Sequence, residues 1–591
     1  MSTPTTGADT LVVLLHAFTS SPAALKPIAN VVQGQWPQAR LFCPQLPANT
    51  FSMANPNVMV AQLLVEIDRQ IQEAQATAQP IENIVLIGHS IGAVLVRKLY
   101  VIACGETRDA PFEAEFRTGT DEGLVQPRPW AGKVSRIVLM AAMNRGWHLS
   151  HHLELKTGMK FALGVATGNI IHLVTGRWPL IMTLRRGAPF IAQLRLQWLG
   201  MRRAASADGR RGNALVVQVL GSRDDLVSPE DNVDLVSGGD FYYLDAPRSG
   251  HASVVRLDDG EDGERRKKVF LIALEDTPAE LAKAGVVPSD QRFPGADEQV
   301  TRVLFVMHGI RDSGYWTHKL AREVQRLAKE QNRPDIWATE TSSYGYFPML
   351  PFLLSAYRRK NVEWLMDKYT EVIARYPNAT VSYIGHSNGT YLLAKALELY
   401  PCCRFDKVVF AGSVVSRAYP WSQYTTAQPP NDRPRVNSVL NFVATADWVV
   451  AFFPKLFQFL GGKDLGSAGH DGFALAAHTP NVYQLTFVKG GHGAAVEEDV
   501  WKTIASFVVN DPSDTKPEFA LQRRWRNWIV LLLGLFPPLI WLALAGVLVA
   551  GWLGLYHAIA ILVPDPSWAS FFVGLSLALY LLLLWRIVTR V

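Results

Sequence analysis

One pattern occurs twice in this chain of 591 residues and constrains its fold more than any other feature. From residue 11 the sequence reads LVVLLHAFTSSP, and from residue 303 it reads VLFVMHGIRDSG. Each is a short apolar run, rich in β-branched residues, that ends in a turn opened by a histidine. From residue 81 comes IENIVLIGHSIGAVLV, and from residue 379 ATVSYIGHSNGTYLL. Each of these is a strand-like run, a glycine-rich turn, and then an apolar stretch with helical spacing. Strands that alternate with helices read as βα units on a parallel sheet. The repetition therefore predicts an α/β chain with two such sheets in tandem.

Length agrees, because single cores stop growing at roughly 250–300 residues. The first unit is expected over residues 1–275, with a helical cap at about 147–211. A linker is expected at 276–299, where Pro278, Pro288 and Pro294 interrupt any period. The second unit is expected over 300–510, followed by a linker at 511–526 and an apolar hairpin at 527–591. The run Leu11–Leu15 is too short for a signal-peptide core and has no basic region before it, so it reads as the first strand.

Gly88-His89-Ser90-Ile91-Gly92 and Gly385-His386-Ser387-Asn388-Gly389 both fit G-x-S-x-G. The spacing has a steric reason: a serine on a sharp strand-to-helix turn needs small neighbours on both sides. One such match is weak, but two, each after a strand and before a helix, are far more specific. On these motifs the chain resembles the α/β-hydrolase superfamily, lipase- and esterase-like serine hydrolases, over about residues 10–275 and 300–510. The resemblance implies an acid and then a histidine downstream of each serine. In the first unit the strand Ala214–Leu220 precedes Gly221-Ser222-Arg223-Asp224-Asp225, which puts the acid at Asp224 with Asp225 as the alternative. The strand Phe241–Leu244 leads to His251 as the base. In the second unit the strand Val439–Thr445 leads to Asp447, and the strand Val482–Val488 leads to His492. His470 and His478 precede that last strand and read as structural.

The resemblance also implies an oxyanion hole. Its donors would be the backbone N–H groups of Ile91 and Asn388, with others around Ala17-Phe18 and Gly309-Ile310. Position 17 departs from the usual His-Gly, and alanine disfavours positive φ. No carboxylate or cysteine is spaced to join His16 or His308 on a metal, so neither a metal nor a cofactor is expected. The two stretches lining these sites differ. About 70 residues separate the strand at Ile137–Ala142 from the strand at Ala214. That insertion carries Arg185, Arg186, Arg195, Arg202 and Arg203, and reads either as a basic lid for anionic lipid or as a packed cap with solvated arginines. The second unit has instead an apolar block, Tyr344 to Leu354, suited to lining an acyl pocket, touching a membrane or packing between units.

No Lys, Arg, Asp or Glu falls between Trp528 and Val563 or between Ser567 and Trp585. About 20 apolar residues cross a bilayer. The first run supplies them from about Trp528 to Leu553, with a kink expected at Pro537-Pro538, and the second from about Ala569 to Trp585. Arg523, Arg524 and Arg526 precede the pair and Arg586 and Arg590 follow it, so both ends are expected on the cytoplasmic side. A bacterial inner membrane is the preferred setting. Four cysteines and no CxxC argue for a reduced compartment. The net charge of +6 comes without a basic tract interleaved with aromatics, which speaks against nucleic acid. The sequence thus points to a membrane-anchored serine hydrolase acting on carboxylic esters, with lipid esters as candidate substrates. The alternative is a membrane scaffold or ligand-binding protein with non-catalytic hydrolase units. No sequence feature specifies an oligomeric state.

Overall fold

The computed structural model describes residues 7, 9–117, 124–148, 164, 167–169, 171–172, 175–208, 211–224, 241–285, 295–312, 314–428, 432–462, 464–510 and 525–590. The first sheet is built from β1 (Thr10–Leu15), β2 (Arg40–Phe42), β3 (Asn83–His89), β4 (Val134–Met140), β5 (Leu215–Gly221) and β6 (Phe241–Ala246). Its order is β2-β1-β3-β4-β5-β6, and every neighbouring pair is parallel. The second sheet uses β7 (Arg302–Met307), β8 (Trp337–Glu340), β9 (Thr380–His386), β10 (Phe405–Ala411), β11 (Val436–Ala444) and β12 (Val482–Val488). Its order, β8-β7-β9-β10-β11-β12, repeats the first strand for strand.

Parallel strands covered on both faces become continuous apolar runs, and β1 shows it: all six of its residues are buried. Alternate side chains leave on opposite faces. Leu11, Val13 and Leu15 pack with the helices Pro56–Ala76 and Ile91–Cys104, while Val12 and Leu14 pack with Ile28, Val32 and Phe270 on the other side. In the second sheet, Leu304 and Val306 of β7 share a core with Leu320, Val324 and Ile504.

The chain divides into two compact units. The first comprises Met1–Ala296 with Glu363–Arg375 and Leu399–Cys402, and the second takes the remainder. The segment Glu363–Arg375 has an ionic reason to belong to the first. Asp367 is paired with Arg195 at 2.7 Å and Arg145 at 3.0 Å, and Glu363 with Arg185 at 2.7 Å. Burial pushes the Asp367 carboxyl up, yet Arg145, Arg195 and Arg186 together hold it below the usual carboxylate range. Arg202 donates to the carbonyls of Gly212 and Ala214, and Arg203 to that of Ile373. Of the two readings of this arginine-rich insertion, the packed cap fits, with one change: the arginines are bound to protein, and of the five only Arg203 is exposed. Arg195 is fully buried in the helix Pro189–Asp208. Residues 149–163 of the expected cap lie outside the described residues.

At the C-terminus two helices, Pro537–Leu562 and Pro566–Arg586 within Pro566–Arg590, are long and apolar enough to cross a membrane, with mean hydropathies of 2.0 and 1.9. They form a hairpin tied by Tyr580, whose hydroxyl donates to the Leu548 carbonyl at 2.8 Å. The expected kink at Pro537-Pro538 is instead a break. A short helix, Trp528–Leu533, ends at Gly534, and the long helix begins at Pro537. Proline suits the first turn of a helix, where its missing N–H has no intrahelical partner. The long helix therefore begins nine residues later than the sequence reading placed it.

Candidate active sites

Both elbow serines adopt the backbone that the motif exists to permit. Ser90 has φ 56° and Ser387 φ 52°, left-handed values that non-glycine residues rarely hold. Strain of this kind costs about 1–3 kcal/mol and is held only where the surroundings over-determine it. Here the serine N–H groups donate to the next strand, Ser90 to Met140 at 3.0 Å and Ser387 to Ala411 at 2.9 Å. The glycines explain the rest. A Cβ on Gly92 would lie 2.1 Å from the Leu15 carbonyl oxygen, and one on Gly389 would lie 2.6 Å from that of Met307. Each helix start is thus pressed against the end of the sheet's second-position strand.

In the first unit the structure brings Ser90, His251 and Asp224 into one hydrogen-bonded line. His251 Nε2 lies 2.8 Å from Ser90 Oγ, and its Nδ1 lies 3.1 Å from Asp224 Oδ2. With Asp224 accepting from Nδ1–H, Nε2 is left to accept the serine proton. All three come from loops at one end of the sheet, after β3, β5 and β6. The alternative acid, Asp225, lies outside the described residues. Ser90 and His251 are buried, so their bond is little diluted by water.

The second unit places Ser387, Asp447 and His492 after the equivalent strands β9, β11 and β12. His492 Nδ1 is 3.1 Å from both oxygens of Asp447. Asp447 is fully buried and also caps the helix Trp448–Phe452, accepting from the Val450 N–H at 3.0 Å. Burial pushes its carboxyl up, but His492 and the Val450 N–H hold it below the usual range. The loops of acid and base are pinned together: Ala446 donates to the Gly490 carbonyl at 3.0 Å, and the Gly490 N–H to Thr445 Oγ1 at 3.1 Å. No hydrogen bond joins Ser387 to His492 among the described residues. The sequence offered two complete triads and, through Ala17, made the first unit the likelier departure; here it is the second whose serine and histidine are not joined.

The histidines inside the motifs have a role that sequence reading left open. His89 Nε2 donates to the backbone carbonyl of His251 at 2.8 Å, and His386 Nε2 to that of His492 at 3.2 Å. Each holds the loop of its base, and each is kept neutral, because burial drops both to about 4. The turn histidines are likewise structural. His16 Nδ1 donates to the Ala17 carbonyl at 2.9 Å while its Nε2 accepts from the Leu46 N–H at 2.9 Å. His308 makes the corresponding bonds to the Gly309 carbonyl at 2.8 Å and to Ser343 Oγ at 2.6 Å.

Ile91 and Asn388 open helices of 14 and 12 residues, where free N–H groups and the helix dipole favour a developing negative charge. Both are buried. Ala17 is buried and Phe18 packs on the first core, whereas Gly309 meets the serine directly. A Cβ on Gly309 would lie 2.7 Å from Ser387 Cβ and 3.3 Å from its Oγ. Ile310 follows, half-buried. Tyr344 was read only as part of an apolar block, yet its hydroxyl lies 2.8 Å from the His308 carbonyl and 2.9 Å from that of Gly309, and it accepts from Asn388 Nδ2 at 3.1 Å. Its one signal in the sequence was an aromatic at the end of a polar loop after β8. His470 and His478 stand apart from this arrangement: His470 is buried in the helix Ala468–Asp471, and His478 ends a short 3₁₀ turn. Among the described residues no group of three His, Cys, Asp or Glu side chains could hold a metal ion.

Comparison with known proteins gives one family match. Residues 5–117 fit the family described as "Putative serine esterase", which supports a hydrolase acting on esters. A comparison with curated proteins finds no match. Among solved structures, monoacylglycerol lipase of Paleococcus ferrophilus is similar at 14% identity and a TM-score of 0.27, covering 45% of this chain and 94% of the lipase. Phospholipase PlaB of Legionella pneumophila is similar at 12% identity and 0.32, covering 47% and 62%. Lipase BlEst2 of Bacillus licheniformis is similar at 13% and 0.27, covering 46% and 93%. At that distance these likenesses say nothing of substrate. With a six-stranded parallel sheet and a strained serine elbow after the third strand of each unit, the chain carries the α/β-hydrolase fold twice.

Proposed function

We propose that the protein is a membrane-anchored serine hydrolase that cleaves carboxylic esters through an acyl-enzyme. The observation that carries this reading is the line from Ser90 Oγ through His251 to Asp224, at 2.8 and 3.1 Å. His251 takes the Ser90 proton as Oγ attacks the ester carbonyl, and Asp224 holds the imidazole in the tautomer that leaves Nε2 free. The negative charge on the former carbonyl oxygen falls at the start of the helix Ile91–Cys104. His251 then gives the proton to the departing alcohol, and water enters by the same route to release the acid. Ser387, His492 and Asp447 are assigned the same roles in the second unit, where Ser387 must first close on His492 to complete the line.

The hairpin is read as the anchor, with Arg526 and Arg586 at its ends on the cytoplasmic side of a bacterial inner membrane. The two expected soluble units and their linkers, as bounded from the sequence, belong to this proposal. One observation favours a second reading for the second unit alone: its serine and histidine are not bonded, as in a module that binds an ester without turning it over.

The test is labelling of the full chain by a fluorophosphonate, which reacts with activated serines, in the wild type and in Ser90→Ala, Ser387→Ala and the double variant. Partial labelling of each single variant and none of the double is the expected result. Undiminished labelling of the double variant, or none of the folded wild type, would refute the assignment.

A further inference from the structure

In the second unit, both segments that flank the candidate site also rest on the apolar hairpin. The acid loop is the first. The Asn527 N–H, one residue before the short helix Trp528–Leu533, donates to the Thr445 carbonyl at 3.0 Å, two residues before Asp447. Arg526 donates to the His470 carbonyl and lies 3.8 Å from Asp471. A Cβ on Gly534 would touch Ala451 at 3.3 Å, so the break in the helix is where the chain crosses the helix that Asp447 caps. Beyond the break, Trp541 donates from Nε1 to the Phe452 carbonyl at 2.9 Å and stands edge-on to Phe453 at 4.9 Å. Phe536 meets Phe459 the same way at 5.0 Å.

The segment from Tyr344 to Leu354 is the other. Its first residue lies on the carbonyls of His308 and Gly309, beside Ser387. Its short helix, Met349–Leu353, packs against the second hairpin helix, Pro566–Arg590. Around these two walls apolar side chains are left in the open: Trp448, next to Asp447, is 51% exposed, Leu460 70% and Leu354 49%. Exposed apolar groups gathered at one place mark a binding surface. Each sits in or just after a helix that packs on the hairpin, whose own apolar side chains are also uncovered.

We infer that this face of the second unit is a bilayer-contact surface, and that the second site takes its ester from the membrane as a lipid rather than from water. The inference rests on the serine-hydrolase reading of Ser387. It answers what the helix break at Gly534 to Phe536 is for: it lets the chain turn from the acid loop into the bilayer while staying bonded to that loop. Trp448, Leu354 and Leu460 enter the headgroup region, where apolar side chains gain from leaving water and amphipathic tryptophan is at home.

The experiment uses the full chain carrying Ser90→Ala, in phosphatidylcholine and phosphatidylglycerol vesicles, so that only Ser387 is read. Two fluorophosphonates are compared, a short water-soluble one and a long-chain one dissolved in the vesicles. Leu354→Lys with Leu460→Lys places a charge on each wall, and Phe51→Lys, at a residue 81% exposed in the first unit, is the control. The wall variant is expected to slow labelling by the vesicle-borne probe about tenfold, which corresponds to about 1.4 kcal/mol. Labelling by the short probe should stay within about twofold, which also shows that the variant folds, and the control should change neither rate. Equal slowing of both probes, or of neither, would overturn the bilayer route and leave the hydrolase reading intact. If Ser387 reacts with neither probe before any wall change, that reading itself fails, and the inference with it.

Discussion

The two units carry the same six strands in the same order, with the same strained serine, the same neutral histidine on the carbonyl of His251 or His492, and an aspartate after the fifth strand. They differ in what stands around that frame. In the first, serine, histidine and aspartate are joined end to end, and the turn before the serine carries Ala17. In the second, aspartate and histidine are joined but the serine is apart, the turn is Gly309, and Tyr344 and the hairpin close on the loops. The backbone is therefore what the repeat preserves.

The largest expected effect breaks the comparison at its strongest point. In a Ser387→Ala background, His251→Ala should lower kcat on a short ester by about 10⁴-fold or more, since members of such a unit fail together. The equivalent His492→Ala in a Ser90→Ala background should cost less, because its starting rate is lower, and steady-state kinetics on both pairs will show it.

A second prediction concerns what the units share. His89 and His386 sit at about 4 against an ordinary value near 6.5. Above pH 6.5 both states are neutral and stability is flat. Between 6.5 and 4 only the unfolded chain takes up the proton, so stability falls as pH falls. The loss is roughly 3 kcal/mol for each histidine over that window. His89→Gln and His386→Gln should each remove one share, read from denaturant midpoints at pH 7 and 4.5. A pH profile unchanged by either would count against their buried, neutral state.

The turn residues sharpen the difference. Gly309→Ala pushes a Cβ to 2.7 Å from Ser387 Cβ and should slow acylation of Ser387 by about 10²-fold, the scale of a lost oxyanion donor. Ala17→Gly should change acylation of Ser90 by less than about threefold, because that turn already holds a Cβ. Comparable losses at both positions would show that the turns are not distinct. A smaller loss than that of Gly309→Ala is expected from Tyr344→Phe, which removes one hydroxyl from the Gly309 carbonyl. About 1 kcal/mol, or fivefold in labelling of Ser387, is the expected cost, with no change at Ser90.

The frame was legible because its causes are local. Parallel strands are continuous apolar runs, as in Leu11 to Leu15, and the elbow glycines are fixed by clashes with a neighbouring carbonyl, as at Gly92 against Leu15. Asp224, His251, Asp447 and His492 were placed by falling just after strands. The remaining features depend on partners far away in the chain. Nothing near Arg195 announces Asp367, 172 residues on, so the lid could be read as a lipid surface when it is an internal ion cluster. Tyr344 looked apolar in company, and only the fold puts its hydroxyl on Gly309. The hairpin's apolar length was plain, but Pro537-Pro538 read as a kink because the chain's crossing at Ala451 is a tertiary contact. The missing bond between Ser387 and His492 has no sequence signal at all.

We propose that Ser90 is ready to acylate while Ser387 must first close on His492. Pre-steady-state release of nitrophenol from a nitrophenyl ester measures it directly. A fast burst near one equivalent per chain, abolished by Ser90→Ala, is expected, followed by a slower phase that Ser387→Ala abolishes. A burst that survives Ser90→Ala unchanged, or no burst from the folded wild type, would contradict it.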